Sequence, residues 1–265
     1  MRIMAGHHLP VPFMGRVREA GRFVLFLRDV TDALFPPYAR GAFFFQQFVI
    51  IGVKSIPIVL IVGAFVGMVL AVMTYQQFSS LGIETMMGPF IAVPMVSQLG
   101  PILTALMVLC RVGSAMTAEI GTMRVTEQID ALQCFGVNPT RNLIVPRIVC
   151  CSLLLPALTV LSDVIGILGG KYLAIHVYGI NEHYYTLQTL KHFMPFDIYT
   201  GIVKAFVFGL IISSYCCFKG FHSSGGATGV GRAIMEAVVA AFIAIIVTNF
   251  FVSLLASHIW HAWFA

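Results

Sequence analysis

Charge is what this chain has least of. Lys, Arg, Asp and Glu make up 10% of its 265 residues, where an ordinary soluble domain carries about a quarter. So few charged side chains are not enough to cover the surface of a soluble fold of this length. Catalytic and metal-binding patterns are absent as well. Cys110, Cys134, Cys150, Cys151, Cys216 and Cys217 form no CxxC pair, and most lie in apolar runs where a thiol behaves as a small hydrophobe. Neither a disulfide framework nor a metal site is indicated. The histidines contain no HExxH, and His7 and His8 read as part of a solvated tail. There is no GxxxxGK motif, so the chain is not itself a P-loop ATPase. Nor is there a GxSxG or a pair of carboxylates at helical spacing inside an apolar run. Met1–Leu34 lacks a compact apolar core followed by a small-residue cleavage site, which argues against a signal peptide.

What the chain has is long hydrophobic runs. It is 58% hydrophobic, with a mean hydropathy of +0.91. A helix crossing a hydrocarbon core about 30 Å thick needs roughly 20 apolar residues, and five stretches qualify: 48–73, 89–110, 148–170, 198–218 and 237–257. Backbone groups in lipid must be satisfied within the segment, so these are predicted to be helices. The fold class expected is an all-α polytopic membrane protein. Ahead of the first span, Phe13, Val17, Ala20, Val24, Leu27, Thr31 and Leu34 alternate at spacings of four and three. Arg18, Glu19, Arg22 and Asp29 fall on the opposite face. The pattern over 14–35 suits either a helix lying in the membrane interface or an amphipathic helix packed on a soluble partner.

Basic residues are unevenly distributed among the connections. Twelve fall before the first span, between the second and third, and between the fourth and fifth; the alternate connections hold only Lys171 and Lys191. This asymmetry predicts a cytoplasmic N-terminus and a C-terminus on the far side, with Trp260 and Trp263 in an outer aromatic belt. The net charge of +5 points to anionic headgroups rather than nucleic acid, because no aromatic stacking platform is interleaved with the basic residues.

Within the spans, Lys54, Asp163, Lys204, Gln98 and Asn249 are polar intrusions. Lys54, near the start of its span, is expected to snorkel. A lysine at a span centre costs about 2.5–3.5 kcal/mol, so Lys204 either snorkels or faces a polar cavity. Gly63 and Gly67 form a GxxxG, as do Gly166 and Gly170, and Ala237/Ala241 and Ala240/Ala244 repeat the small-xxx-small spacing of close helix packing. Pro57, Pro94, Pro101 and Pro156 predict kinks or breaks in three spans. No internal repeat is evident, which argues against an inverted-repeat transporter. The glycine-rich loop KGFHSSGGATGVGRA (219–233) breaks the GxGxxG spacing and follows no strand, so it reads as a turn feeding the fifth span.

One polar stretch interrupts the apolar chain, AEIGTMRVTEQIDAL (118–132). Its apolar face is Ala118, Val125, Ile129 and Leu132, its polar face Glu119, Thr122, Thr126 and Asp130, and Gly136, Asn138 and Pro139 end it. A helix of this length is marginal alone in water. It is either a solvated connection or an element held between the membrane domain and a partner.

The block GSAMTAEIGTMRVTEQIDALQCFGVNPTRNLIVPR (113–147), with SQLGPILTAL before it and SSGGATGVGRA after it, resembles the signature of the Mla-type (MlaE/YrbE) permeases of ABC lipid transporters. The likeness runs from about residue 15 to the C-terminus. It implies one permease domain with an interfacial N-terminal helix, five membrane helices and a cytoplasmic coupling helix over 116–135. It also implies a homodimer in the inner membrane, working with two copies of a separate ATPase that binds the ATP and Mg, so that this chain holds no cofactor. A periplasmic lipid-carrying MCE-domain protein, and in many cases a STAS-domain protein, would complete the assembly. Glu119, Gly121, Met123, Glu127, Gln128, Asp130 and Leu132 match the coupling-helix pattern that docks on the ATPase. Leu70, Phe78, Leu81, Gln98 and Lys204 match cavity positions, the first three toward acyl chains and the last two toward a phospholipid headgroup. Two positions depart from the family: Gln98 stands where glutamate is usual, and Asn249 where aspartate is. Two alternatives to lipid transport are a membrane-embedded lipid-modifying enzyme, for which no nucleophile or metal constellation is present, and an ABC permease for a small polar solute, for which the spans offer little polar lining.

Overall fold

The computed structural model describes residues 12–34 and 41–264, and every regular element among them is helical. Five segments are long and apolar enough to cross a membrane: Phe44–Ser79, Met87–Val125, Thr140–His176, Pro195–Phe221 and Gly226–Trp260. Each contains one of the hydropathy-predicted stretches and overruns it at both ends. The overrun is physical, because a helix continues past its apolar part until something breaks its hydrogen-bond ladder.

The chain opens with α1 (Pro12–Leu34). The first span is α2 (Gly41–Ile51) and α3 (Ile56–Ser79), joined by a tight turn at Val53–Ser55. Lys54 in that turn is exposed, as snorkelling requires. Pro57 sits in the first turn of α3, where its missing N–H leaves no bond unmade. The second span comprises α4 (Met87–Pro94), α5 (Gly100–Val108) and α6 (Ser114–Val125), separated by π-helical turns at Met95–Leu99 and Leu109–Gly113. The short α7 (Gln128–Cys134) follows, then a π turn at Thr140–Ile144 and the third span α8 (Val145–His176), which runs unbroken through Pro156. Next come α9 (Glu182–His192), α10 (Pro195–Phe221) and α11 (Gly226–Phe264). The short α9 has no counterpart among the predicted helices. It starts where the Asn181 side chain accepts from the His183 N–H at 2.9 Å.

The middle of the bundle is α8 against α10, with α3, α5, α6 and α11 around them. Its core combines Leu155, Phe208, Ile212 and Leu109 with Ala237 and Ala241 of α11. Of the two small-residue registers on α11, the Ala237/Ala241 pair is the buried one. The two glycine pairs read from the sequence turn out to be partners. Gly63 and Gly67 of α3 lie on Gly166 and Gly170 of α8, so closely that a Cβ on Gly67 would stand 1.9 Å from the Gly166 carbonyl oxygen. In lipid, where hydrophobicity does not drive helices together, such backbone proximity is the main source of packing energy.

Two predicted elements differ in detail. On α1, Phe26, Val30 and Ala33 are buried against Ile120, Ile129, Ile144 and Phe218, while Val24 and Leu34 of the predicted stripe are exposed. The buried and the exposed apolar positions therefore lie about a third of a turn apart, one set on the protein and one free. Phe13, Val17 and Trp263 fall outside the residues whose side chains are described. The helix expected over 116–135 is two helices. Glu127 adopts a left-handed conformation, φ 59°, the one non-glycine residue among those described to do so. It turns α7 away from α6, a break that no glycine or proline in the sequence marks.

Candidate functional site

Lys204 sits ten residues into α10 with 1% of its surface exposed. Its Nζ donates to the Ser97 carbonyl at 2.8 Å, to Gln98 Oε1 at 2.8 Å and to Ser253 Oγ at 2.9 Å. An ammonium has three protons, and all three are used. Ser97 lies in the π turn, where the backbone ladder is shifted from the α register, and its carbonyl has a second lone pair to offer the ammonium. Gln98 Nε2 also donates to Ser253 Oγ at 3.1 Å, and Ser253 Oγ donates to the Asn249 carbonyl at 2.7 Å. The π turn, α10 and the late part of α11 thus meet at one polar knot.

None of the three acceptors is a carboxylate. Of the two amides, only Gln98 takes part through its side chain; Asn249 contributes its backbone. The knot is hydrogen-bonded but carries uncompensated positive charge in a buried site, the arrangement that gains most from an incoming anion. It borders a cavity of about 340 Å³ whose wall also includes His192, Asp197 and Trp260. Asp197 is on the first turn of α10, where its Oδ2 accepts from the Met194 N–H at 3.4 Å.

The other sequence-derived cavity residues lie elsewhere. Phe78 is buried in a separate cluster with Met87, Ile91 and Tyr185, with Leu70 packed against it, and its ring meets Phe90 edge-on at 4.8 Å. Leu81 is exposed in the turn after α3. So Gln98 and Lys204 are brought together, while Leu70, Phe78 and Leu81 do not line the cavity beside them. Ser253 was missed because a serine in a membrane helix normally bonds its own backbone and leaves no trace in sequence.

At the opposite end, α6 and α7 carry the coupling-pattern residues, and they divide into two sets. Gly121 is buried, and a Cβ there would meet Val230 and Ser223 at 3.1 and 3.2 Å. Glu119 binds Arg147 of α8 at 2.9 Å, Asp130 pairs with Arg124 across the break, and Met123 packs on the α1 cluster. These are internal struts. Glu127 and Gln128 are exposed and Leu132 half-buried, while Ile129 beneath them is fully buried and anchors α7 to the membrane domain. Just past α7, Phe135 is 83% exposed. A bare aromatic on a helix so firmly anchored was not singled out from sequence, where it looked like one more apolar residue.

The sequence profile of the family described as Permease MlaE matches residues 44–255. The chain is 37% identical over 236 residues to a probable ABC transporter permease protein of Rickettsia conorii, covering 89% of this chain and 91% of that one. It is 40% identical over 209 residues to another from Synechocystis, covering 78% and 79%. To the intermembrane phospholipid transport system permease protein MlaE of Haemophilus influenzae it is 32% identical over 206 residues, covering 77% and 79%. With the family profile matching residues 44–255 on an all-helical bundle of five potential spans, this chain belongs to the MlaE permease family.

Proposed function

We propose that this chain is the membrane permease of an ABC transporter that moves phospholipid between the inner membrane and a periplasmic MCE-domain carrier. The observation that carries the reading is Lys204, a buried ammonium held only by neutral acceptors beside a cavity. A phospholipid phosphate is the counter-charge it lacks. The chain works as a homodimer with two ATPase subunits, which bind the ATP and Mg. A STAS-domain protein is a further partner of the assembly. The N-terminus is cytoplasmic and the C-terminus periplasmic, in line with the asymmetry of basic residues. Leu70, Phe78 and Leu81 meet acyl chains once two copies close a shared cavity.

The test is lipid occupancy of the assembled complex, measured by mass spectrometry. Losing a charge-assisted contact is worth about 1.5–3 kcal/mol, so Lys204→Ala is expected to lower co-purifying phospholipid by about tenfold or more. Lys204→Met, which keeps the buried stem, separates charge from packing and should behave like the alanine variant. Unchanged occupancy in both would sink the headgroup role. Gln98→Glu places a carboxylate at the 2.8 Å contact with Nζ and neutralises the site from within. It is expected to reduce the preference for anionic over zwitterionic lipid while leaving total phospholipid bound.

A further inference from the structure

The glycine-rich loop before α11 has no part in the reading above, yet it walls a cavity of about 490 Å³ between α1, the end of α10 and the start of α11. The charged residues around it are Arg18, Arg22, Lys219, Arg232, Glu19 and Glu236. Lys219 lies between the two carboxylates, donating to Glu19 and, at 2.8 Å, to Glu236. Those three groups answer one another. Arg18, Arg22 and Arg232 have no ion pair among the described residues. Four cations face two carboxylates, leaving a formal net charge of +2 in one concavity.

The rest of the wall supplies donors. Ser224 presents a hydroxyl, Thr228 Oγ1 donates to the Gly225 carbonyl at 3.1 Å, and α11 begins here with no acidic residue in its first turn. The glycines explain the shape. Gly225 and Gly226 have φ of 92° and 70°, and the Ser224 carbonyl folds so tightly over Gly229 that a Cβ there would lie 1.8 Å from it. The loop is thereby held down against the first turn of α11, with Ser224 and Thr228 at the cavity rim. Its glycines serve that fold-back and not a nucleotide cradle.

We propose that this cavity is a binding site for a phosphate group, with Arg18, Arg22 and Arg232 as its ligands. Guanidinium forks match phosphate oxygens in pairs, and three of them around one cavity suit a phosphomonoester or phosphodiester better than a carboxylate, which one fork saturates. The bearer is either a phospholipid headgroup, its chains beside the exposed Leu25 of α1, or a soluble phosphate compound. The site is distinct from the Lys204 cavity, which involves none of these residues, and the proposal does not depend on what the protein transports.

The test uses the full chain purified with its partner subunits, delipidated in detergent and carrying Lys204→Ala so that the other cavity is silent. It is titrated separately with dioleoyl phosphatidate and with inorganic phosphate in a phosphatidylcholine background, and bound ligand is counted by native mass spectrometry. Saturable uptake of about one ligand per chain is expected. Arg18→Gln, Arg22→Gln and Arg232→Gln should each weaken it about tenfold, the scale of one lost charge-assisted pair. Arg28→Gln, on the same helix but paired with Asp32, should not. Saturation by phosphatidate alone identifies a lipid headgroup, and saturation by inorganic phosphate as well identifies a soluble ligand. The arginines are exposed, so the variants should melt like the parent without ligand. Absence of saturation by either ligand, or a triple Gln variant that binds like the parent, would overturn the proposal.

Discussion

Gly67→Ala is expected to be among the most damaging single-atom additions possible in this chain. The new Cβ would lie 1.9 Å from the Gly166 carbonyl oxygen, 2.5 Å from its carbon and 2.7 Å from its Cα. All three are backbone atoms, so no side chain can rotate away and α3 must separate from α8. That separation also opens the reciprocal contacts, because Cβ positions on Gly166 and Gly170 already stand 3.0 and 3.1 Å from the carbonyls of Gly63 and Gly67. Overpacking costs about 1–3 kcal/mol where neighbours can adjust. Here they cannot, and a loss of more than about 3 kcal/mol is expected, seen as a lowered melting temperature and aggregation in detergent size-exclusion. Gly231→Ala is the matched control. Nothing lies within 4 Å of its Cβ position, and alanine is favoured over glycine in a helix by up to about 1 kcal/mol. It should therefore leave stability unchanged or raised. If Gly67→Ala melts like the parent, α3 and α8 do not meet as described.

The glycine pairs show what was legible in the sequence and what was not. That Gly63/Gly67 and Gly166/Gly170 would make close contacts followed from spacing, but which pair faced which did not, since four small faces were on offer and only the tertiary arrangement selects among them. The five spans were legible because hydropathy integrates over roughly 20 residues and tolerates single intrusions such as Asp163. Their ends were not. In α6 the helix carries Glu119 and Arg124 beyond the apolar run as one continuous ladder from Ser114 to Val125, a continuity that hydropathy, which scores only the apolar part, does not register. The break at Glu127 was invisible for the opposite reason, because glutamate is a good helix former and left-handed geometry there is imposed by tertiary packing of Ile129. Lys204 is anomalous in the sequence, with snorkelling and a polar cavity equally open. What decided between them was the meeting of the Ser97 carbonyl, Gln98 and Ser253 around Nζ, which requires the helices in place. The cavity behind the glycine loop was hidden because its arginines come from segments about 200 residues apart.

The coupling surface yields the second large effect, and the structure separates two kinds of residue that the sequence pattern ran together. Phe135 is 83% exposed, near the exposed Glu127 and Gln128; if the ATPase of the proposed assembly docks on this face, the ring is its aromatic anchor. Such anchors contribute about 2 kcal/mol or more when truncated, so Phe135→Ala is expected to weaken ATPase association roughly thirtyfold and to abolish lipid-stimulated ATP hydrolysis at low subunit concentration. Because the ring is exposed, the melting temperature of the permease alone should not move. Glu119→Ala should behave differently. Its carboxylate meets Arg147, whose side chain is 4% exposed, and removing one partner of a buried pair costs about 3–5 kcal/mol; with Glu119 half-exposed the lower end applies. That variant should lower the melting temperature and coupling together. Arg124→Ala breaks a pair whose members are 36% and 50% exposed, and less than about 1 kcal/mol is expected. Glu127→Gly supplies the last discrimination, since glycine takes the left-handed conformation freely and the substitution relieves about 1–2 kcal/mol of backbone strain. A variant as stable as the parent or more so, yet impaired in ATPase binding, assigns the Glu127 side chain to the interface. If Phe135→Ala and Glu127→Gly both bind ATPase like the parent, the docking surface is not on α7, and the break at Glu127 is a feature of the fold alone.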